Sequence, residues 1–150
     1  MSRKKLYSNK KNYDLLEETR TYRKKLQKIL QDLENAPKGN RHIFYNKLAN
    51  ILLEITDHNS IVEANYKKAI RLYKQAIKER GKNPSGLYWS NLSFAYAKLN
   101  DWDHAIKAIR QSIILLKKEE KNGIKHGNQI KILKLEQALY QEYKKRTPNK

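Results

Sequence analysis

Residues able to do chemistry are plentiful in this chain of 150 amino acids, but their spacing does not serve a reaction. The four histidines, His42, His58, His104 and His126, stand far apart. They form no His-x3-His pair, the spacing that sets two imidazoles on one helix face for a metal. With no cysteine in the chain, thiolate ligands, thiol nucleophiles and disulfides are excluded together. Gly81, Gly86, Gly123 and Gly127 are scattered, so no glycine loop is set up to cradle a phosphate. Glu119–Glu120 and Asp101/Asp103 are neighbouring carboxylates. Nothing around them supplies the buried setting that would poise one as an acid and the other as a base. They read as helix-end and turn residues, with Asp103 opening a helix by capping its free N–H groups. No catalytic residue, metal site or cofactor is expected.

The chemistry that remains is ionic and aromatic. The formal net charge is +18, of which residues 1–34 carry +5, 35–85 carry +6, 86–116 only +1 and 117–150 +6. A charge of this size favours anionic partners: RNA, acidic protein segments or anionic membrane surfaces. Tyr7 and Tyr13, interleaved with Lys4, Lys5, Lys10 and Lys11, are the candidates for stacking bases while lysines hold phosphates. Tyr66, Tyr73 and Tyr96 fall at helical core spacing and read as packing. No RRM, KH or zinc-knuckle signature is present, which argues against base-specific reading.

These residues must be carried by helices. Three prolines and five glycines sit mostly between segments with helical periodicity. Residues 1–11 are basic and aperiodic, a flexible tail. Over 12–34, Leu15, Thr19, Tyr22, Leu26, Ile29 and Leu33 form a narrow seam, suited to packing on the next segment or to self-association as a coiled coil. Asn35-Ala36-Pro37-Lys38-Gly39-Asn40 breaks that helix. In 128–146, Ile132, Leu135, Leu139 and Tyr143 line one face of a last helix. The N-terminus lacks an apolar h-region, and no run approaches the roughly 18 apolar residues of a membrane span. A soluble, intracellular protein is expected.

Between these ends lie two related segments. In 86–117, Trp89-x2-Leu92-Ser93-x2-Tyr96 is followed by Ala105-x3-Ile109, across a polar break at Asn100-Asp101. In 41–80, Tyr45-x2-Leu48-Ala49-x2-Leu52 is followed by Ala69-x3-Tyr73 and Ala76, with eight residues inserted between Leu52 and Ala69. The capping-box pattern Ser60-x-x-Glu63 within that insertion predicts a long second helix, from near Ile61 through Glu79.

The pattern resembles the tetratricopeptide repeat (TPR), a helix pair of 34 residues with small residues where the two helices approach. The resemblance implies an all-α fold: a short helical-repeat array of antiparallel helix pairs, with 12–34 and 128–146 as capping helices that cover apolar ends. In that family the first helix of each pair lines a concave groove. Carried over by resemblance, the groove residues here are Asn46, Lys47, Asn50, Leu53, Ser90, Asn91, Phe94 and Lys98. Asn50 and Asn91 are also similar to positions of the family's carboxylate clamp, whose first-repeat lysine is replaced by Asn46. The implied function is that of a non-catalytic adaptor gripping an acidic or amphipathic protein segment. The alternative is binding to RNA or a ribonucleoprotein through the basic flanks.

Overall fold

The computed structural model describes residues 20–58, 63–82 and 84–147. Among the described residues there is no strand. Six α-helices follow one another among the described residues: α1 over 20–35, α2 (Arg41–His58), α3 (Glu63–Arg80), α4 (Gly86–Lys98), α5 (Trp102–Lys121) and α6 (Gln129–Arg146). α2 packs on α3 and α4 on α5; α3 joins the two pairs through α4, and α6 lies against α5. The result is an all-α stack of helix pairs, a short helical-repeat array. No described helix is long and apolar enough to cross a membrane.

The α4–α5 pair shows how local sequence sets the architecture. Ser85 caps α4, its hydroxyl accepting from the Tyr88 N–H. Asn100 ends the helix in the left-handed region, at φ 56°. There the Asn100 N–H donates to the Ala97 carbonyl and the Asp101 N–H to that of Tyr96, so two carbonyls at the helix end are satisfied at once. Asp101 then caps α5 by accepting from the His104 N–H. A single Asn-Asp step therefore stops one helix and starts the next. Asp103, expected to be the cap, instead lies within the first turn and pairs with Lys144 of α6. That ion pair holds the Asp103 carboxyl below its usual pKa range. α5 ends in the same way as α4, with Gly123 at φ 91° and the Ile124 N–H reaching back to the Glu119 carbonyl.

Small side chains let α4 and α5 approach. Ser93, Ala105 and Ser112 are fully buried, and the Ser112 hydroxyl donates to the Gly86 carbonyl at 2.6 Å. The core runs on through Leu92, Ile109 and Leu116 into Ala69 and Tyr73 of α3 and Leu133 and Tyr140 of α6.

The first pair is longer than the second. With Leu48 set on Leu92, the last residue of α4 falls on Glu54, yet α2 continues to His58. With Ala69 set on Ala105, the first residue of α5 falls on Tyr66, yet α3 has already begun at Glu63. Most of the insertion is therefore helix, added to both arms. Ser60 of the capping-box pattern lies outside the described residues.

At the ends of the stack, α1 turns Tyr22 and Ile29 inward, and the Tyr22 hydroxyl donates to Glu54 of α2 at 3.3 Å. Of the described part of the seam, Tyr22 and Ile29 are thus buried within the chain, while Leu26 and Leu33 are half-buried. Leu15 and Thr19 lie outside the described residues. On α6 the buried row is Ile130, Leu133 and Tyr140, with Trp102 of α5 tilted against Tyr140. Ile132, Leu135, Leu139 and Tyr143, the face expected to do the covering, are exposed.

Candidate functional site

α2 and α4 expose the same helical phase. Ile43, Lys47, Asn50 and Glu54 are open to solvent on α2. Leu87, Asn91, Phe94 and Lys98 stand at the equivalent positions of α4, exposed except for the half-buried Asn91. The spacing of four, three and four residues keeps each set on one stripe. The two helices are held together by paired polar side chains. The Asn91 amide Nδ2 donates to Asn46 Oδ1 at 3.0 Å, and His42 Nδ1 lies 2.7 Å from the Tyr88 hydroxyl. Burial, followed by the nearby Arg80 charge, lowers the His42 pKa.

Support comes from behind as well. Tyr73 of α3 is buried, and its hydroxyl donates to Asn50 Oδ1, fixing which way that amide faces. Burial pushes the Tyr73 phenol pKa well above its usual range, so it remains a donor. On the open side Phe94 is 44% exposed, and the Lys98 ammonium lies 4.9 Å from its ring centroid. Lys47 sits 5.5 Å from the Phe44 ring in the same manner. A cation resting on an aromatic face keeps its charge available while its stem covers apolar surface.

Of the eight groove residues expected, Asn46, Lys47, Asn50, Asn91, Phe94 and Lys98 lie on or beside this face. Leu53 and Ser90 do not. Leu53 is buried in the core, and Ser90 is buried with its hydroxyl donating to the Leu87 carbonyl at 2.8 Å. Ile43, Leu87 and Glu54 were missed. Their signal was available, because each sits one helical turn from an expected groove residue and 44 positions from its counterpart. Glu54 matters for electrostatics: it offsets one of the two lysines, leaving the face only weakly cationic.

The high charge is concentrated elsewhere. α3 exposes Lys67, Arg71, Lys74 and Lys78 along one side, and α5 exposes Lys107, Arg110, Lys117 and Lys121. Lys67 is paired with Glu63 at 3.3 Å. The tail candidates Lys4, Lys5, Tyr7, Lys10, Lys11 and Tyr13 lie outside the described residues. Each described histidine side chain has its own neighbour: His42 has Tyr88, His104 has Asp101 and His126 has Glu119. Among the described residues no three His, Asp or Glu side chains converge as metal ligands would. What the α2–α4 face offers is amide hydrogen bonding, an exposed aromatic, two apolar side chains and two lysines, which are means of recognition. Comparison with known proteins finds no matching family model and no curated relative.

Proposed function

We propose that the chain is a non-catalytic adaptor of the TPR type, whose α2–α4 face holds an acidic or amphipathic protein segment. One observation carries the reading. Two successive helix pairs leave the same stripe open in the same register, and Asn46–Asn91 joins the stripes edge to edge. Amides hydrogen-bond a partner's backbone, Phe94 anchors an apolar side chain, and Lys47 and Lys98 attract carboxylates.

The test is recovery of bound partners from cell extract at near-physiological salt, with nuclease, using the wild-type chain, Lys98→Glu and Phe94→Ala in parallel. Charge reversal in the groove should weaken a protein partner by about 1–3 kcal/mol. Phe94→Ala should weaken it too, without loss of stability, since the ring is outside the core. A partner indifferent to both variants would overturn the groove reading.

A second reading, RNA or ribonucleoprotein binding, is favoured by the rows on α3 and α5. Four cations recur at four-, three- and four-residue steps on α3, and the carboxylate in line with them, Glu63, is paired with Lys67. Counterion release gives such binding a steep salt dependence, with a slope of about 0.9 per phosphate contact on duplex DNA. A partner lost on nuclease treatment, and weakened by Arg71→Glu with Lys74→Glu, would replace the groove reading with this one.

A further inference from the structure

α6 is apolar on two sides and buries only one. Ile130, Leu133 and Tyr140 enter the core, whereas Ile132, Leu135, Leu139 and Tyr143 are 47%, 72%, 47% and 39% exposed. A comparison with α4 shows where that exposed row points. Ile130, Leu133 and Gln137 repeat the spacing of Trp89, Leu92 and Tyr96, the positions by which α4 enters the core. In this register Ile132, Leu135 and Leu139 fall on Asn91, Phe94 and Lys98, the open stripe of α4. Lys131 and Lys134 fall on Ser90 and Ser93, which α4 buries. The side of α6 equivalent to the buried serines of α4 is therefore cationic, while the side equivalent to the groove is apolar. The N-terminal end of α4 shares one cleft with the segment that leads into α6, lined by Leu87 and Ser90 on one side and His126 and Gln129 on the other.

We infer that Ile132, Leu135 and Leu139 form a third, apolar wall of the α2–α4 face, and that its occupant is an amphipathic helix with acidic flanks. This deepens the groove reading and rests on it. The pitch favours a helix: the exposed row advances in steps of three and four residues, about 4.5–6 Å. An α-helix carries its own apolar row at the same steps and can interdigitate with it. A strand repeats on one face at about 6.6–6.8 Å and drifts out of register. Charge selects the flanks, because Lys47, Lys98, Lys131 and Lys134 outnumber the neighbouring Glu54 and Glu136 and leave an excess that attracts carboxylates. A second copy of this chain would bring a further +18 against them.

The test uses the full chain and a fluorescein-labelled synthetic helix with leucines at i, i+3 and i+7 and glutamates on the adjoining positions. Two peptides serve as controls: one with a scrambled order and one with lysine in place of each glutamate. The acidic helix should bind, and Leu135→Glu and Leu139→Glu should each weaken it tenfold or more, with Phe94→Ala also weakening it. The controls should not bind. If either glutamate variant lowers the melting temperature, Leu135→Ala and Leu139→Ala take its place. Binding that falls with Phe94→Ala and Lys98→Glu but ignores Leu135 and Leu139 would overturn the third wall and leave the groove standing. Binding that ignores all four positions would overturn both. A dimer in light scattering that Leu135→Glu dissociates would give the surface to a second copy and end this proposal.

Discussion

Replacing Gly86 with alanine tests the packing that carries the site. A Cβ built at Gly86 would lie 2.7 Å from both Cγ and Cδ2 of Leu116 and 3.2 Å from the Leu116 backbone nitrogen. Leu116 is 3% exposed, so its branch point has nowhere to swing, and relief requires α4 to retreat from α5. Retreat strains the hydrogen bond from the Ser112 hydroxyl to the Gly86 carbonyl. Overpacking of this kind costs about 1–3 kcal/mol, and a weakened hydrogen bond adds up to about 1. Against this stands the helix preference of alanine over glycine, at most about 1 kcal/mol and smaller at the first helical residue. The loss wins by about 1–3 kcal/mol. At this chain length each kcal/mol lowers Tm by about 2–4 °C. The assay is thermal and urea unfolding followed by circular dichroism, repeated in a Leu116→Ala background. Leu116→Ala alone should cost about 2–5 kcal/mol, and the double variant less than the two losses added, because the shortened side chain vacates the contested space. A Gly86→Ala chain that melts at or above the wild-type temperature would refute the reasoning.

Ala105→Trp should cost a few kcal/mol, because position 105 is fully sealed between helices; an unchanged urea midpoint would mean that the α4–α5 pairing is wrong. His42 gives a pH dependence of definite sign. Its folded pKa lies below the unfolded 6.5, so the unfolded chain takes up the proton first as pH falls. The stability linked to His42 is complete above pH 6.5 and is lost as pH falls through the folded pKa. Urea midpoints at about pH 7.5 and about pH 5.5 should therefore differ more for the wild type than for His42→Asn. Equal differences would remove His42 from that account.

The helix-pair architecture was legible because it is written in small residues as well as large ones. Ser93 and Ala105 mark the close approach, and Asn100-Asp101 marks the turn. Which aspartate caps α5 was harder to read, since Asp101 and Asp103 are equally good caps. The left-handed Asn100 decides it, because the residue after that stop is already the start of the next helix. The buried side of α6 was not legible for a similar reason. Two apolar rows run along that helix only two residues apart, and periodicity alone cannot say which one α5 covers. Of the eight residues expected in a groove, six lie on or beside the open α2–α4 face. Leu53 lies in the register of Ala97; two successive steps of three residues carry it about 120° round the helix from Lys47, off the open stripe and into the core. Net charge was plain from composition, but its location depended on which phase of α3 and α5 faces outward.

The bonds that join α2 to α4 have a consequence for how the face responds to its surroundings. Asn46 and Asn91 are uncharged, and the lowered pKa of His42 keeps its contact with Tyr88 between neutral groups near neutral pH. Added salt therefore has little hold on the width of the face. The lysine rows around it are fully subject to screening, with a Debye length that shrinks from about 10 Å to about 3 Å between 0.1 M and 1 M salt. Ionic strength thus acts on how fast a charged partner arrives and leaves the shape it meets unchanged. A partner held mainly by Phe94 and the amides would dissociate at nearly the same rate across that range, even as its capture slowed.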